Sequence, residues 1–160
     1  MSFAQQILLG WIILASFGCS NKNTTSSSPD FEPAIFEKTL CFGPCPAFFF
    51  ELHPDGHCDL TITRPFLEGK LNHLEPGQYF AEMSDAKTWN DALHAALELT
   101  GYHDLDEVYD NEHITDLPST KTTIQGKSII NRYKGPDLDR LYDVLDKGME
   151  SLNWQPIETK

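Results

Sequence analysis

The sequence is short of positive charge. Twelve Lys and Arg stand against 24 Asp and Glu, giving a formal net charge of −12. Nucleic-acid binding rests on Lys and Arg displacing counterions from phosphate, so this balance argues against it. It argues equally against electrostatic docking on an anionic lipid surface. It suits a soluble domain that stays monomeric. Long apolar runs are also missing. The run Ile7 to Phe17 (ILLGWIILASF) has eleven residues, well short of the roughly 20 that a membrane-spanning helix needs. Motifs of familiar chemistry are absent too: there is no nucleophile elbow, no His-Glu-x-x-His and no phosphate loop. No internal repeat of solenoid length is present.

What is there begins with the N-terminus. An apolar run of this length is that of a signal-peptide core. The stretch Ser16-Phe17-Gly18-Cys19 resembles the lipobox of bacterial lipoproteins, in which the Cys is acylated and becomes the new N-terminus. Residues 1–18 are therefore expected to be a lipoprotein signal peptide, with Cys19 the lipid anchor and its acyl chains the link to a membrane. Ser20 to Asp30 (SNKNTTSSSPD) is polar and nearly devoid of apolar side chains. Such a stretch cannot bury enough surface to offset its ordering entropy. Residues 19–33 read as a flexible tether. By resemblance to bacterial sorting, Ser20 after the Cys points to the outer membrane, and the lack of the acidic run that some surface-exposed lipoproteins carry after the Cys points to its periplasmic side.

Residues 34–155 read as one globular domain, a length that a single core can serve. Ten Phe and three Trp supply that core. Ala34 to Leu40 is a strand candidate. In Ala47 to His53, the residues Phe48, Phe50 and Leu52 share a face. In His57 to Arg64, the residues Cys58, Leu60 and Ile62 do the same. Only a three-residue loop at Pro54-Asp55-Gly56 sets Leu52 opposite Cys58, Phe50 opposite Leu60 and Phe48 opposite Ile62 on one core face. That loop is a type I turn followed by a left-handed Gly56. Gln78 to Met83 is a further strand candidate. Ser84 suits an N-cap, and Asp85 to Leu99 carries apolar residues at helical spacing with Gly101 as its stop. Residues 104–118 form an acidic loop. Ser119 to Gln125 and Ser128 to Tyr133 make a second hairpin of ambiguous register. Pro136 opens a last helix through Leu152, with Trp154 packing just beyond it. The fold class is α+β: an antiparallel sheet of two hairpins plus an N-terminal strand, with both helices on one face.

With Cys19 assigned to a lipid, Cys41, Cys45 and Cys58 remain. In an oxidising compartment, nearby thiols pair. Cys41 and Cys45 are four apart, with Gly43 and Pro44 between them to turn the chain, so they are expected to form a structural disulfide. The competing reading is a redox-active pair. Thioredoxin-like sites have a Cys-x-x-Cys at a helix N-terminus; here the spacing is longer, a strand follows and no basic residue is adjacent. Cys58 lies on the inward face and reads as a buried free thiol.

Two places offer metal-ligating side chains. His53 and His57 point outward by alternation while Cys58 points in, so the three do not converge on a tetrahedral centre. The acidic loop offers Asp104, Asp106, Glu107, Asp110, Glu112 and Asp116. Read as an EF-hand from Asp104, it places Tyr109 where Gly belongs and Thr115 where the bidentate Glu belongs, so the motif fails. No metal and no cofactor are expected.

Cys41-Phe42-Gly43-Pro44-Cys45-Pro46, a following strand and Asp55-Gly56 resemble an uncharacterised bacterial domain family. Its members carry a Cys-Phe-Gly-x-Cys-Pro motif, then a strand and an Asp-Gly or Asn-Gly turn. Asp116-Leu117-Pro118 and the helix Leu138 to Leu152 stand where that family has an Asp-x-Pro and a C-terminal helix. Phe49 stands where the family often has Tyr. The family is one of unknown function and many members look like lipoproteins, so the resemblance implies a fold and an anchor and supplies no catalytic residue. The expected function is that of a lipid-anchored envelope protein acting as a non-catalytic binding or structural module. Its protein or small-molecule partner is unknown. The alternative is an envelope thiol-redox enzyme using Cys41 and Cys45.

Overall fold

The computed structural model describes residues 31–114 and 116–158. The expected signal peptide, the lipid anchor at Cys19 and the tether up to Asp30 lie outside the described residues. The strands are β1 (Ala34–Lys38), β2 (Ala47–Leu52), β3 (His57–Arg64), β4 (Gly77–Glu82), β5 (Val108–Tyr109), β6 (Thr120–Ile124), β7 (Lys127–Asn131) and β8 (Gln155–Pro156). The helices are α1 (Ala86–Thr100) and α2 (Asp139–Glu150), with a short 3-10 turn over Tyr102–Asp104.

All eight strands form one sheet in the order β5-β7-β6-β1-β2-β3-β4-β8. The fold is α+β and its sheet is mostly antiparallel, as the patterning indicates. It is larger than two hairpins and a strand. The additions are β8 on one edge and β5 on the other, the latter parallel to β7. Residues 104–118 are therefore not a loop throughout. Strand β1 sits at the centre, pairing with β2 on one side and with β6 on the other.

The first hairpin has the register that the patterning requires: Leu52 opposite Cys58, Phe50 opposite Leu60 and Phe48 opposite Ile62. Gly56 lies at φ 89°. An added Cβ there would sit 2.8 Å from both the Met83 carbonyl oxygen and the Phe31 ring. In the second hairpin, Gln125 and Gly126 both have positive φ and Ile124 pairs with Lys127. This is the two-residue turn whose twist suits the strands.

Helix α1 is capped by Asp85, not Ser84; the Asp85 carboxylate accepts from the Thr88 backbone N–H at 3.0 Å. Gly101 closes it in the left-handed conformation. Helix α2 starts at Asp139, three residues after the expected Pro136, whose carbonyl accepts instead from Asn131 Nδ2.

The inward residues of the sheet meet Trp89, Leu93, Ala96 and Leu97 of α1 and Leu141, Leu145 and Met149 of α2 in one core. Phe31, three residues before β1, is already part of it. Trp154 packs edge-on against Phe50 and donates to the Met149 carbonyl at 3.0 Å. Among the described residues, the one buried polar residue is Thr122; its hydroxyl lies 3.0 Å from that of Tyr102, which is fully buried.

Candidate functional site

Three features of the surface could serve a function. The first is the loop between β1 and β2. Cys41 and Cys45 stand at disulfide distance, with Sγ atoms 1.98 Å apart and Cα atoms 6.0 Å apart. The loop is held further by Arg64, the last residue of β3, which pairs with Ala47 at the foot of β2. Its Nη1 donates to the carbonyl oxygens of Cys41, at 3.1 Å, and Gly43. The same nitrogen lies 4.0 Å from Cys41 Sγ. A basic residue is thus beside the pair after all, brought from 23 positions away by the β2–β3 hairpin.

The closed loop projects Phe42, which is 92% exposed, with Leu40 at 52% and Leu67 at 65%. Leu67 lines an open hollow of about 430 Å³ together with Pro44, Cys45, Pro46, Phe66 and Glu68. The loop has a definite place in the molecule. Ala34 pairs with Leu52, next to the β2–β3 turn, and Lys38 pairs with Phe48. The backbone N–H of Phe31 donates to Pro54 in that turn. The chain therefore enters the domain at one end of the sheet, and the disulfide loop lies at the other.

The second feature lies on the outer face of the sheet. His53 and His57 point outward and Cys58 inward, as alternation requires. The two imidazoles meet Asp59: His53 Nε2 is 2.9 Å from Oδ2, and His57 Nε2 is 3.3 Å from Oδ1. Glu82 on β4 receives His57 Nδ1 at 3.2 Å. The Glu82 hydrogen bond raises the His57 pKa above its ordinary value, with partial burial opposing and the Asp59 charge assisting. Among the described residues, no group of three or more His, Cys, Asp or Glu is arranged to hold a metal ion. Cys58 is buried; desolvation, reinforced by Glu82 and Asp59, pushes its thiol up to about 12, which makes it inert.

The third feature is a groove of about 450 Å³ where α1 begins and α2 ends, lined by residues that include Asp85, Thr88, Trp89, Lys147 and Asn153. Trp89 Nε1 is the one buried side-chain nitrogen or oxygen among the described residues with no hydrogen-bond partner. Asp85 is engaged as the cap of α1. That backbone bond, together with a bond from the Thr88 hydroxyl, holds the Asp85 carboxyl below its ordinary value.

Among the described residues, the acidic segment presents no group of carboxylates arranged to hold a metal ion. Asp110 pairs with Arg132 at 3.3 Å through both carboxylate oxygens. Glu107 and Tyr109 give their backbone carbonyls to β7 and the residues after it. Within the segment, Val108–Tyr109 forms an edge of the sheet.

Fold and surface together define a small α+β domain with a single-faced helical layer and a bridged loop at one end. The chain matches the domain of unknown function DUF6438 over residues 34–149 and belongs to that family. No curated protein and no solved structure matches it.

Proposed function

We propose that this protein is a lipid-anchored domain of the bacterial cell envelope that binds a partner through the Phe42 loop and catalyses no reaction. The observation that carries the reading is Phe42 itself. A phenylalanine ring held almost wholly in water, on a loop closed by a bridge and pinned by Arg64, contributes nothing to the domain's own core. Large aromatic side chains on rigid supports are what binding surfaces use as anchors, because little entropy is lost when they are covered. The anchor reading rests on the apolar run Ile7 to Phe17, the lipobox-like stretch at Cys19 and the polar segment after it. The chain enters the domain at the end opposite the loop, which suits a tethered module reaching away from its membrane. Fully extended, the segment from Cys19 to Phe31 spans at most roughly 40 Å. On this reading the protein lies at the outer membrane, facing the periplasm, and is monomeric.

Two measurements on the full chain in cells test the reading. The mature mass should lack residues 1–18 and carry acyl chains, and Cys19→Ala should release the domain or leave an uncleaved precursor. A photoreactive phenylalanine analogue at position 42 should give a discrete crosslinked adduct on illumination. The same analogue at Leu99, an exposed position on α1, should not. An unlipidated mature form removes the anchor, and equal crosslinking from both positions removes the binding surface.

A further inference from the structure

The bridge is electrostatically lopsided. The hydrogen bonds of Arg64 to the loop fall on Cys41 O, Gly43 O and Cys41 Sγ, all on one limb. The guanidinium is permanently charged and already stands 4.0 Å from that sulfur. Both cysteines are only half-buried, so a small thiol can reach them. A cation beside a sulfur stabilises its thiolate, and in thiol–disulfide exchange the sulfur with the more stable thiolate leaves faster.

We propose that Cys41–Cys45 is a reducible thiol–disulfide site for dithiols, in which Arg64 makes Cys41 the leaving thiolate and Cys45 the sulfur that is attacked. A thiolate of the reductant attacks Cys45 Sγ, the S–S bond breaks, and its electron pair leaves on Cys41 Sγ, beside Arg64. The mixed disulfide on Cys45 is then resolved by the second thiol of the reductant. Cys45 is released as a thiolate, and the reductant leaves as a cyclic disulfide. Two electrons pass from the dithiol to the protein, and its two protons go to the protein thiolates or to solvent according to pH. Opening the bridge leaves the Arg64 hydrogen bonds to Cys41 and Gly43 on the loop that carries Phe42. The proposal does not depend on the binding reading, since it concerns the sulfur chemistry alone.

The test uses the full chain carrying Cys19→Ala, so that no fourth thiol contributes. Cys58 stays silent, because its thiol is pushed up to about 12. After reduction with dithiothreitol, thiolate absorbance is followed against pH. One thiol should titrate about one unit below the ordinary value of roughly 8.5, a tenfold change in thiolate fraction at neutral pH. Arg64→Lys, which keeps the charge, should preserve most of that shift, and Arg64→Met should abolish it. Limiting glutathione added to the oxidised protein should leave its adduct on Cys45, as read by peptide mass. If every thiol titrates at or above the ordinary value, or the adduct forms on Cys41, the proposal fails. An unchanged titration in folded Arg64→Met also overturns it. If Arg64→Met does not fold, the wild-type titration and the adduct position decide between the outcomes.

Discussion

His57 shows how one side chain can be set by neighbours from two strands. Its imidazole is bonded to Glu82 on β4 and to Asp59 on its own strand, and its pKa is raised mainly by the Glu82 bond. A raised value in the folded state means that the folded protein binds the proton more tightly. The resulting stability is fully present below the unfolded value of about 6.5 and is lost as pH rises through the folded value. Urea unfolding should therefore show a more stable domain at pH 6 than at pH 8. In Glu82→Gln that difference should shrink while stability at pH 8 changes little; an unaltered difference would show that other groups set it. The outward direction of His53 and His57 was readable from alternation alone. The Glu82 contact was not, because it spans 25 residues and depends on which strand lies beside β3.

At the level of elements, the contact between α1 and α2 turns on Gly148. A Cβ there would sit 2.2 Å from Cζ3 of Trp89, a rigid ring with no flexible end to move aside. Alanine is otherwise the better helix former by up to about 1 kcal/mol, so propensity and packing oppose each other at this position. Packing should win. Gly148→Ala is expected to lower the unfolding free energy by about 1–3 kcal/mol in denaturant titrations, and an increase would show that the helices can separate freely. Neither helix's sequence reveals this pairing, because a glycine inside an apolar stripe reads as a weak spot. The β2–β3 hairpin, by contrast, was legible to the residue. Its apolar alternation and its Pro-Asp-Gly turn required the same register. The β6–β7 register was not legible: Thr120, Thr122 and Thr123 give no apolar contrast, and the inward Thr122 is buried through its bond to Tyr102. The two-residue strands β5 and β8 are too short to carry a period at all. Arg64 was missed as the neighbour of Cys41 because only the finished hairpin brings them together.

For the molecule as a whole, charge is the dominant feature. With 24 acidic groups and 12 Lys and Arg, at most half of the carboxylates can pair one to one. The ion pairs present are mostly exposed, such as Lys87–Asp91 and Lys147–Asp143, and such pairs contribute little. Self-repulsion is expected to outweigh them. The melting temperature should rise as NaCl is raised from about 10 to 500 mM, since screening acts over a Debye length of ~10 Å or less in that range. A fall on adding salt would mean that the ion pairs matter more than the excess charge.

The central strand has a further consequence, in time. β1 is the first of the described strands to be made, yet one of its two partners, β6, lies about 86 residues later. The hairpins β2–β3 and β6–β7 can close locally, but they belong to one sheet only through β1. Loops that long close slowly, and topologies built on them fold late. A chain emerging from its N-terminus cannot complete this sheet until β6, β7 and β8 have been made. Slow closure of that kind keeps a polypeptide threadable, which is the condition under which a chain can pass through a narrow channel before it folds.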